Sequence, residues 1–363
     1  MSPLLVIAAG GTGGHMFPAQ ALAEEMLSRG WRVHLSTDDR GARYAGGFPE
    51  AVSRQVVSAG TFARGGLSTL KAPVQIVAGI VTALWRTWRE RPAVVAGFGG
   101  YPALPAMAAA WLLGRPRLIH EANGVLGRVN ELFALRVSTV ACGVWPTELP
   151  AGAQAAHTGN PVRAAIASQA AAPYISPGDG PLHLVVIGGS QGASILSQTV
   201  PAALAQLPDG VRTRLHVAHQ ARPADHDAVV ATYRGAGIEA IVQPFFSDVP
   251  ERLAAAQLVI SRSGASSVAD IAAVGRPSIL IPLAIAKRDE QTANARGLTE
   301  AGAALSMPER ALSPEGLARA VEDIITDPDR ATTMAGAART LGRPDAARTL
   351  ADLVESLGKT ADA

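Results

Sequence analysis

Short apolar runs rich in Val, Ile and Leu alternate along the chain with longer Ala- and Leu-rich segments. The runs LLVIAA (4–9), WRVHLST (31–37), AVVAGF (93–98) and RLIHE (117–121) have strand length and little polar alternation, the pattern of parallel strands buried on both faces. A helical segment from Pro18 to Arg29 separates the first two. A second series opens with LHLVVIGG (182–189) and continues through VRTRLHVAH (211–219), IEAIVQPF (238–245), LVISRSG (258–264) and SILIPL (278–283), each followed by a helix-like segment. Such alternation specifies right-handed crossovers, and two series predict an α/β chain of two Rossmann-like, doubly wound parallel-sheet domains.

Residues 159–181 are rich in Gly, Pro, Ser and Ala and read as the junction between the domains. The run DAARTLADLVESL (345–357) is amphipathic and predicts a last helix that returns to the first domain. The expected domains are therefore 1–160 with 342–363, and 161–341. The segment 73–90 carries a wide apolar arc of Val74, Val77, Ile80, Val81, Leu84, Trp85 and Trp88, with Gln75, Thr82, Arg86 and Arg89 opposite. Both a core-facing helix and a helix lying at a lipid interface satisfy that pattern. Trp111, Leu112 and Leu113, followed by Arg115 and Arg117, form a second cluster of the same kind. The charge-free run 92–114 is long enough to span a bilayer, but its three prolines and the Gly99–Gly100 pair break it into strand, turn and helix.

Composition narrows the classes. The 363 residues are 48% hydrophobic and 17% charged, which suits well-packed domains and excludes extended disorder. A net charge of +2 without a polybasic run gives no footprint for nucleic acid. The single cysteine, Cys142, precludes an internal disulfide and suits a reducing compartment. No secretory signal is expected from the opening SPLLVIAAGG.

Two glycine-rich turns carry the first chemical signal. Gly10, Gly11, Gly13 and Gly14 surround Thr12, and Gly188, Gly189 and Gly192 surround Ser190; each turn follows a strand and opens a helix. Unpaired N–H groups and the positive end of a helix dipole suit a phosphate there, although tight turns need glycine for backbone reasons alone. Asp38 ends the next strand, where a dinucleotide fold would hold ribose, but Met16 stands where that fingerprint needs its third glycine. A Walker A loop is excluded because no Gly-Lys-Ser/Thr closes either turn.

His15 follows the first turn at the edge where doubly wound sheets bind ligands, and both a base and a turn-stabilising role fit it. Glu121 and Asn123 converge on the same edge, with structural turn duty as the alternative. In the second half, RSGASSVAD (262–270) sets Ser263 at a helix start, as cap or ligand, and Asp270 within reach of a sugar hydroxyl pair. Arg163 suits a diphosphate or plain solvation, and Glu290, Gln291 and Asn294 suit sugar hydroxyls or an ordinary helix start. His216 and His219 do not suit a metal, because rings three apart on a strand point to opposite faces.

Taken in order, GGTGGHMFPA (10–19), GFGGYPALPA (97–106), HEAN (120–123), GNPVR (159–163), GGSQGA (188–193), RSGASSVAD (262–270) and DEQTAN (289–294) resemble the MurG family. These are the UDP-N-acetylglucosamine transferases of bacterial peptidoglycan synthesis, and the resemblance covers nearly the whole chain. It implies the GT-B architecture of two domains facing a cleft, with UDP-GlcNAc bound mainly by the second and the undecaprenyl-linked acceptor, lipid I, reached from the first. It implies no cofactor and no metal. It places Thr12, Gly13, Gly14, Asn123, Arg163, Ser190, Gln191, Gly192, the stretch Ala265, Ser266, Ser267, Val268, Ala269 and Asp270, and Glu290 and Gln291 against the donor, with backbone near Phe246 facing uracil. His15 becomes the first candidate for the catalytic base and Glu121 the second.

The implied reaction inverts the sugar's configuration, lipid I becoming lipid II; a UDP-GlcNAc 2-epimerase of the same fold and a non-catalytic nucleotide-sugar binder are the alternatives. The implied location is the cytoplasmic face of the bacterial inner membrane, peripherally attached, with cell-wall synthesis or division proteins as further partners. Three residues depart from the family pattern. Ala122 stands where Gln is usual, Asp270 where Glu is usual, and Glu290 replaces the first of two glutamines.

Overall fold

The computed structural model describes residues 2–43, 45–56, 67–189, 192–283 and 288–360, with side chains 67–76 and 360 outside the description. The chain divides into two compact units, Met1–Arg163 with Asp345–Ala363, and Ala164–Pro344. Each is built on its own parallel sheet.

The first sheet comprises β1 (Leu4–Ala8), β2 (Arg32–Thr37), β3 (Ser53–Val56), β4 (Val94–Gly97), β5 (Arg117–Glu121), β6 (Thr139–Cys142) and β7 (Ala155–His157). Their order across the sheet is β3-β2-β1-β4-β5-β6-β7. Alternate residues of β1 feed two cores. Leu5 and Ile7 pack with Met16, Leu22 and Met26 on one face, while Leu4, Val6 and Ala8 pack with Met107 and Ile119 on the other. That is why β1 reads as continuously apolar: both faces are covered. The final helix, Ala346–Thr360, lies against the helix Gly13–Ser28 and puts Leu350, Ala351 and Val354 into the first of these cores. Arg29 fastens it with bonds to Asp352 at 2.6 Å and Glu355 at 3.2 Å.

The second sheet comprises β8 (Leu182–Ile187), β9 (Leu215–Gln220), β10 (Glu239–Gln243), β11 (Leu258–Ser261), β12 (Ser278–Leu280) and β13 (Ala304–Ser306), in the order β10-β9-β8-β11-β12-β13. Its strand pairs are parallel, as in the first sheet. In both sheets the direction of winding reverses beside the first strand, between β1 and β4 and again between β8 and β11. Loops leaving the carboxyl ends of those strands diverge and open a crevice, the usual ligand position of a doubly wound sheet. The two glycine-rich turns lie at these two points.

Candidate functional site

In the first unit, the turn after β1 is held by a side chain from the neighbouring strand. Asp38 Oδ1 accepts the Gly11 N–H at 3.0 Å and the Gly41 N–H at 2.8 Å, and Asp38 is buried. Gly10 is required for space, since a Cβ there would lie 2.7 Å from both Asp38 Oδ1 and the Pro102 ring, while Gly11 has φ +85°, which only glycine adopts freely. Asp38 thus holds the turn where a dinucleotide fold would use it on ribose. The helix Gly13–Ser28 begins within the motif, with extended Thr12 as N-cap making no capping bond, so its first N–H groups face the turn without an intrahelical acceptor.

His15 Nδ1 lies 3.1 Å from the Gly10 carbonyl oxygen, and the ring also approaches the turn after β4 at Gly100. A carbonyl only accepts, so Nδ1 carries the proton and Nε2 keeps the basic lone pair. His120, by contrast, is buried against Phe98, with Nε2 3.3 Å from the Gly159 oxygen. Burial lowers its pKa to about 4, and the positive charge His15 takes on when protonated presses in the same direction.

Glu121 requires a correction to its role as second candidate base. Its Oε1 accepts from the backbone N–H and side-chain amide of Asn123, both at 3.0 Å. Its Oε2 accepts from Gly127 N–H at 2.8 Å and Asn130 Nδ2 at 2.9 Å. Four donors saturate the lone pairs of this buried carboxylate, which therefore fastens the 121–130 loop and has no open side for a substrate proton. Asn123 is drawn into the same hub. Arg163, which ends the first segment of the unit, stacks its guanidinium 4.8 Å over the Phe17 ring, on the helix that carries His15.

In the second unit, Gly188 closes the turn after β8 so tightly that a Cβ would meet Ala193 N at 2.4 Å, and Gly192 lies against Arg222 Cγ. Ser190 and Gln191 lie outside the described residues. The helix Ser194–Leu204 starts at Ala193, and the helix Ala265–Val274 starts at Gly264; neither N-cap supplies a side-chain bond. Ser263 therefore does not cap its helix. Its hydroxyl and that of Ser266 are buried without a hydrogen-bond partner, beside a helix start that favours anions. Ala265 and Val268 turn into the core, whereas Ser266, Ser267, Ala269 and Asp270 keep partial exposure.

Around this helix start, Asn294 Nδ2 donates to the Ser263 backbone carbonyl oxygen at 3.1 Å. Gln291 Oε1 accepts from Leu283 N–H at 3.0 Å, which leaves its NH2 as a donor. Glu290 Oε2 accepts from Arg288 N–H at 3.3 Å. Arg262 donates to the carbonyls of Ile281 and Pro282 and pairs with Glu309 at 2.8 Å, fastening the ends of β11 and β12 together. The Phe246 side chain is buried beneath the Arg252 guanidinium at 4.3 Å, so only its backbone can meet a ligand; the neighbouring Phe245 is the exposed ring.

Asn130 and Gln220, which fasten these loops, escaped sequence reasoning as site residues, and Asp38 entered it only as the ribose position of a rival dinucleotide fold. Their shared signal is a polar residue at or just beyond a strand end or on a short helix, which composition alone does not separate from a solvated loop. Among the described residues no group of His, Cys, Asp and Glu suits a metal ion.

Away from the sheet edge, Val77, Val81, Trp85 and Trp88 form an exposed stripe on the helix Leu67–Glu90, with Trp88 62% accessible. This helix packs against Leu104–Leu112, whose Trp111 and Leu112 are also exposed. Arg89 lies over Trp85 at 5.4 Å and Arg136 over Trp111 at 5.6 Å. Val74 lies outside the described side chains, and Ile80 and Leu84 are half-buried.

Residues 5–142 match the model of the glycosyltransferase family 28 N-terminal domain, and residues 183–350 match that of its C-terminal domain. A protein of Caulobacter vibrioides is 48% identical over 363 residues, covering 99% of this chain and all of its own length. One of Paramagnetospirillum magneticum is 46% identical over 359 residues, 98% of this chain and 97% of its own. Both are named UDP-N-acetylglucosamine–N-acetylmuramyl-(pentapeptide) pyrophosphoryl-undecaprenol N-acetylglucosamine transferase. The crystal structure of MurG from Acinetobacter baumannii matches with a TM-score of 0.80 at 30% identity, over 98% of this chain and all of that one.

Proposed function

The chain belongs to glycosyltransferase family 28, among its MurG-type N-acetylglucosamine transferases, and from that premise we propose that it converts lipid I to lipid II. N-acetylglucosamine passes from UDP-GlcNAc to the C4 hydroxyl of the acceptor's N-acetylmuramyl unit. The observation that carries this reading is the second unit's switch point. A glycine turn and two uncapped helix starts lie at the ends of β8 and β11, with the unpartnered hydroxyls of Ser263 and Ser266 beside them. Such a nest suits the diphosphate of a nucleotide sugar.

The proposed step is a single displacement. His15 Nε2 takes the proton of the C4 hydroxyl as that oxygen bonds to C1 of GlcNAc, and the bond from C1 to the diphosphate oxygen breaks with its electron pair leaving on UDP. The configuration inverts from α to β. Charge develops on the leaving diphosphate, where preorganised N–H groups stabilise it most. Arg163 is proposed to balance that charge, Thr12, Gly13, Gly14 and Asn123 to contribute from the first unit, and Ser190, Gln191, Gly192, the stretch 265–270, Glu290, Gln291 and the Phe246 backbone to bind the donor.

The acceptor is lipid-borne. No described helix is long and apolar enough to cross a membrane. The Val77–Trp88 stripe with its flanking arginines is therefore proposed to lie on a lipid surface, the cytoplasmic face of the inner membrane, without spanning it. Release of UDP from UDP-GlcNAc, measured with and without a lipid I analogue, tests the whole reading. Release that requires acceptor supports transfer; conversion of the donor into a second UDP-sugar without acceptor indicates an epimerase, and donor binding with neither outcome indicates a binding protein.

A further inference from the structure

We infer that Gln220 is a positioning residue that holds the donor turn and the uracil-side turn in one geometry, an inference that rests on the diphosphate reading of the 188–192 turn. Gln220 is buried at the end of β9, next to β8 in the sheet. Its Oε1 accepts the Gly188 N–H at 3.1 Å, and its Nε2 donates to the Gly189 oxygen at 3.1 Å and to the Pro244 oxygen at 3.3 Å. Because a backbone N–H can only donate and the two carbonyls can only accept, the orientation of the amide is dictated by its partners. One side chain therefore joins the loops that leave β8 and β10 across β9.

Among the described residues the turn has few other supports. Gly189 has φ +84°, and the Gly189 oxygen also receives Gly192 N–H at 3.2 Å, closing the turn on itself. Gly188 has no side chain with which to pack. Pro244 has no N–H and precedes Phe245 and Phe246, the segment assigned to uracil. Without Gln220 the part-buried Gly188 N–H and the Pro244 carbonyl lose this partner and the Gly189 oxygen keeps only Gly192 N–H, so the tie between the two loops is gone. A displacement well under 1 Å in a preorganised anion nest weakens binding markedly. The first unit uses an acidic counterpart, Asp38, from the strand beside its own glycine turn.

The test uses the full chain with Gln220→Leu, which removes all three bonds, and Gln220→Glu, which keeps the bond to Gly188 N–H but sets oxygen against both carbonyls. Hydrogen exchange of the unliganded protein is read in peptides covering 186–189 and 243–246, calorimetry measures UDP affinity, and steady-state kinetics separate the KM of donor from that of acceptor. Both variants are expected to exchange faster in these two segments while the interior of β8 and β9 stays protected. Both should bind UDP about ten- to a hundredfold more weakly, with the donor KM rising and the acceptor KM unchanged. Unchanged exchange in the turns, or faster exchange with unaltered UDP affinity, overturns the proposal. Should wild-type protein itself not bind UDP, the diphosphate reading fails, whereas loosening of both turns in the variants still supports the mechanical role. If the leucine variant does not fold, the glutamate variant decides by the same readouts.

Discussion

A histidine whose Nδ1 faces a carbonyl oxygen has its tautomer chosen for it, and at His15 that choice points the basic Nε2 away from the turn. His15→Ala is expected to lower turnover about 10²–10⁴-fold, the usual share of a positioned base, while UDP-GlcNAc affinity changes by no more than a few-fold. Turnover at saturating acceptor and calorimetric donor binding check this; wild-type turnover removes His15 from the step. Two other histidines have a different consequence. His120 in the first unit and His219 in the second are buried and neutral, each with a pKa lowered to about 4, chiefly by burial. Their unfolded pKa is near 6.5, so the unfolded chain binds more protons below that value. The stability they confer is complete above about pH 6.5 and is lost as pH falls toward 4, by up to ~1.4 kcal/mol per pH unit for each. Denaturant unfolding followed from neutral pH to about pH 5 should show this decline, and His219→Phe should flatten it for the second unit. An equal slope in the variant rules out His219 as a source.

At the scale of elements, sequence and structure part where tertiary packing overrides local pattern. The buried strands were legible because covered faces select apolar runs, continuous in LLVIA and interrupted only by the exposed His183 in LHLVVI. β3, with the sequence SRQV, was not, since it is a polar strand on the sheet edge; nor was β13, three residues long. The run expected to be a strand from 211 onward begins with a helical turn, Asp209–Arg212, and only Leu215–Gln220 pairs with β8. The helix expected from Pro18 begins at Gly13, because the glycine turn runs directly into its helix, whereas glycines in isolation read as loop. The amphipathic helix near 73–90 was legible, but which apolar residues stay exposed was decided by packing against Leu104–Leu112. If the exposed stripe meets lipid, replacing Val81, Trp85 and Trp88 by Ser should reduce binding to anionic liposomes about tenfold or more with donor affinity intact. Equal sedimentation with vesicles discards the membrane role.

Across the whole molecule, the first unit is completed by residues from the far end of the chain. Leu350, Ala351 and Val354 are fully buried in a core whose other members include Leu5, Ile7, Met16, Leu35 and Val52, and Arg29 ties the same helix through Asp352 and Glu355. Val354→Asp is therefore expected to destabilise the first unit by about 3 kcal/mol or more, because an unpaired carboxylate enters a filled core. Thermal unfolding should show the first unit's transition lowered and the second unit's unchanged; two unshifted transitions contradict this account of the helix.

From sequence alone came the α/β class, the two series of strands, the glycine turns and the ordered motifs of a glycosyltransferase. Periodicity and turn chemistry are local properties, written within a few residues of one another. Only the tertiary structure decided that Glu121 fastens a loop, that Ser263 leaves its helix uncapped, and that Asp38 and Gln220 hold turns from neighbouring strands. Those roles depend on which donors and acceptors meet across distant parts of the chain, because a buried polar group must find its partner wherever the fold brings one.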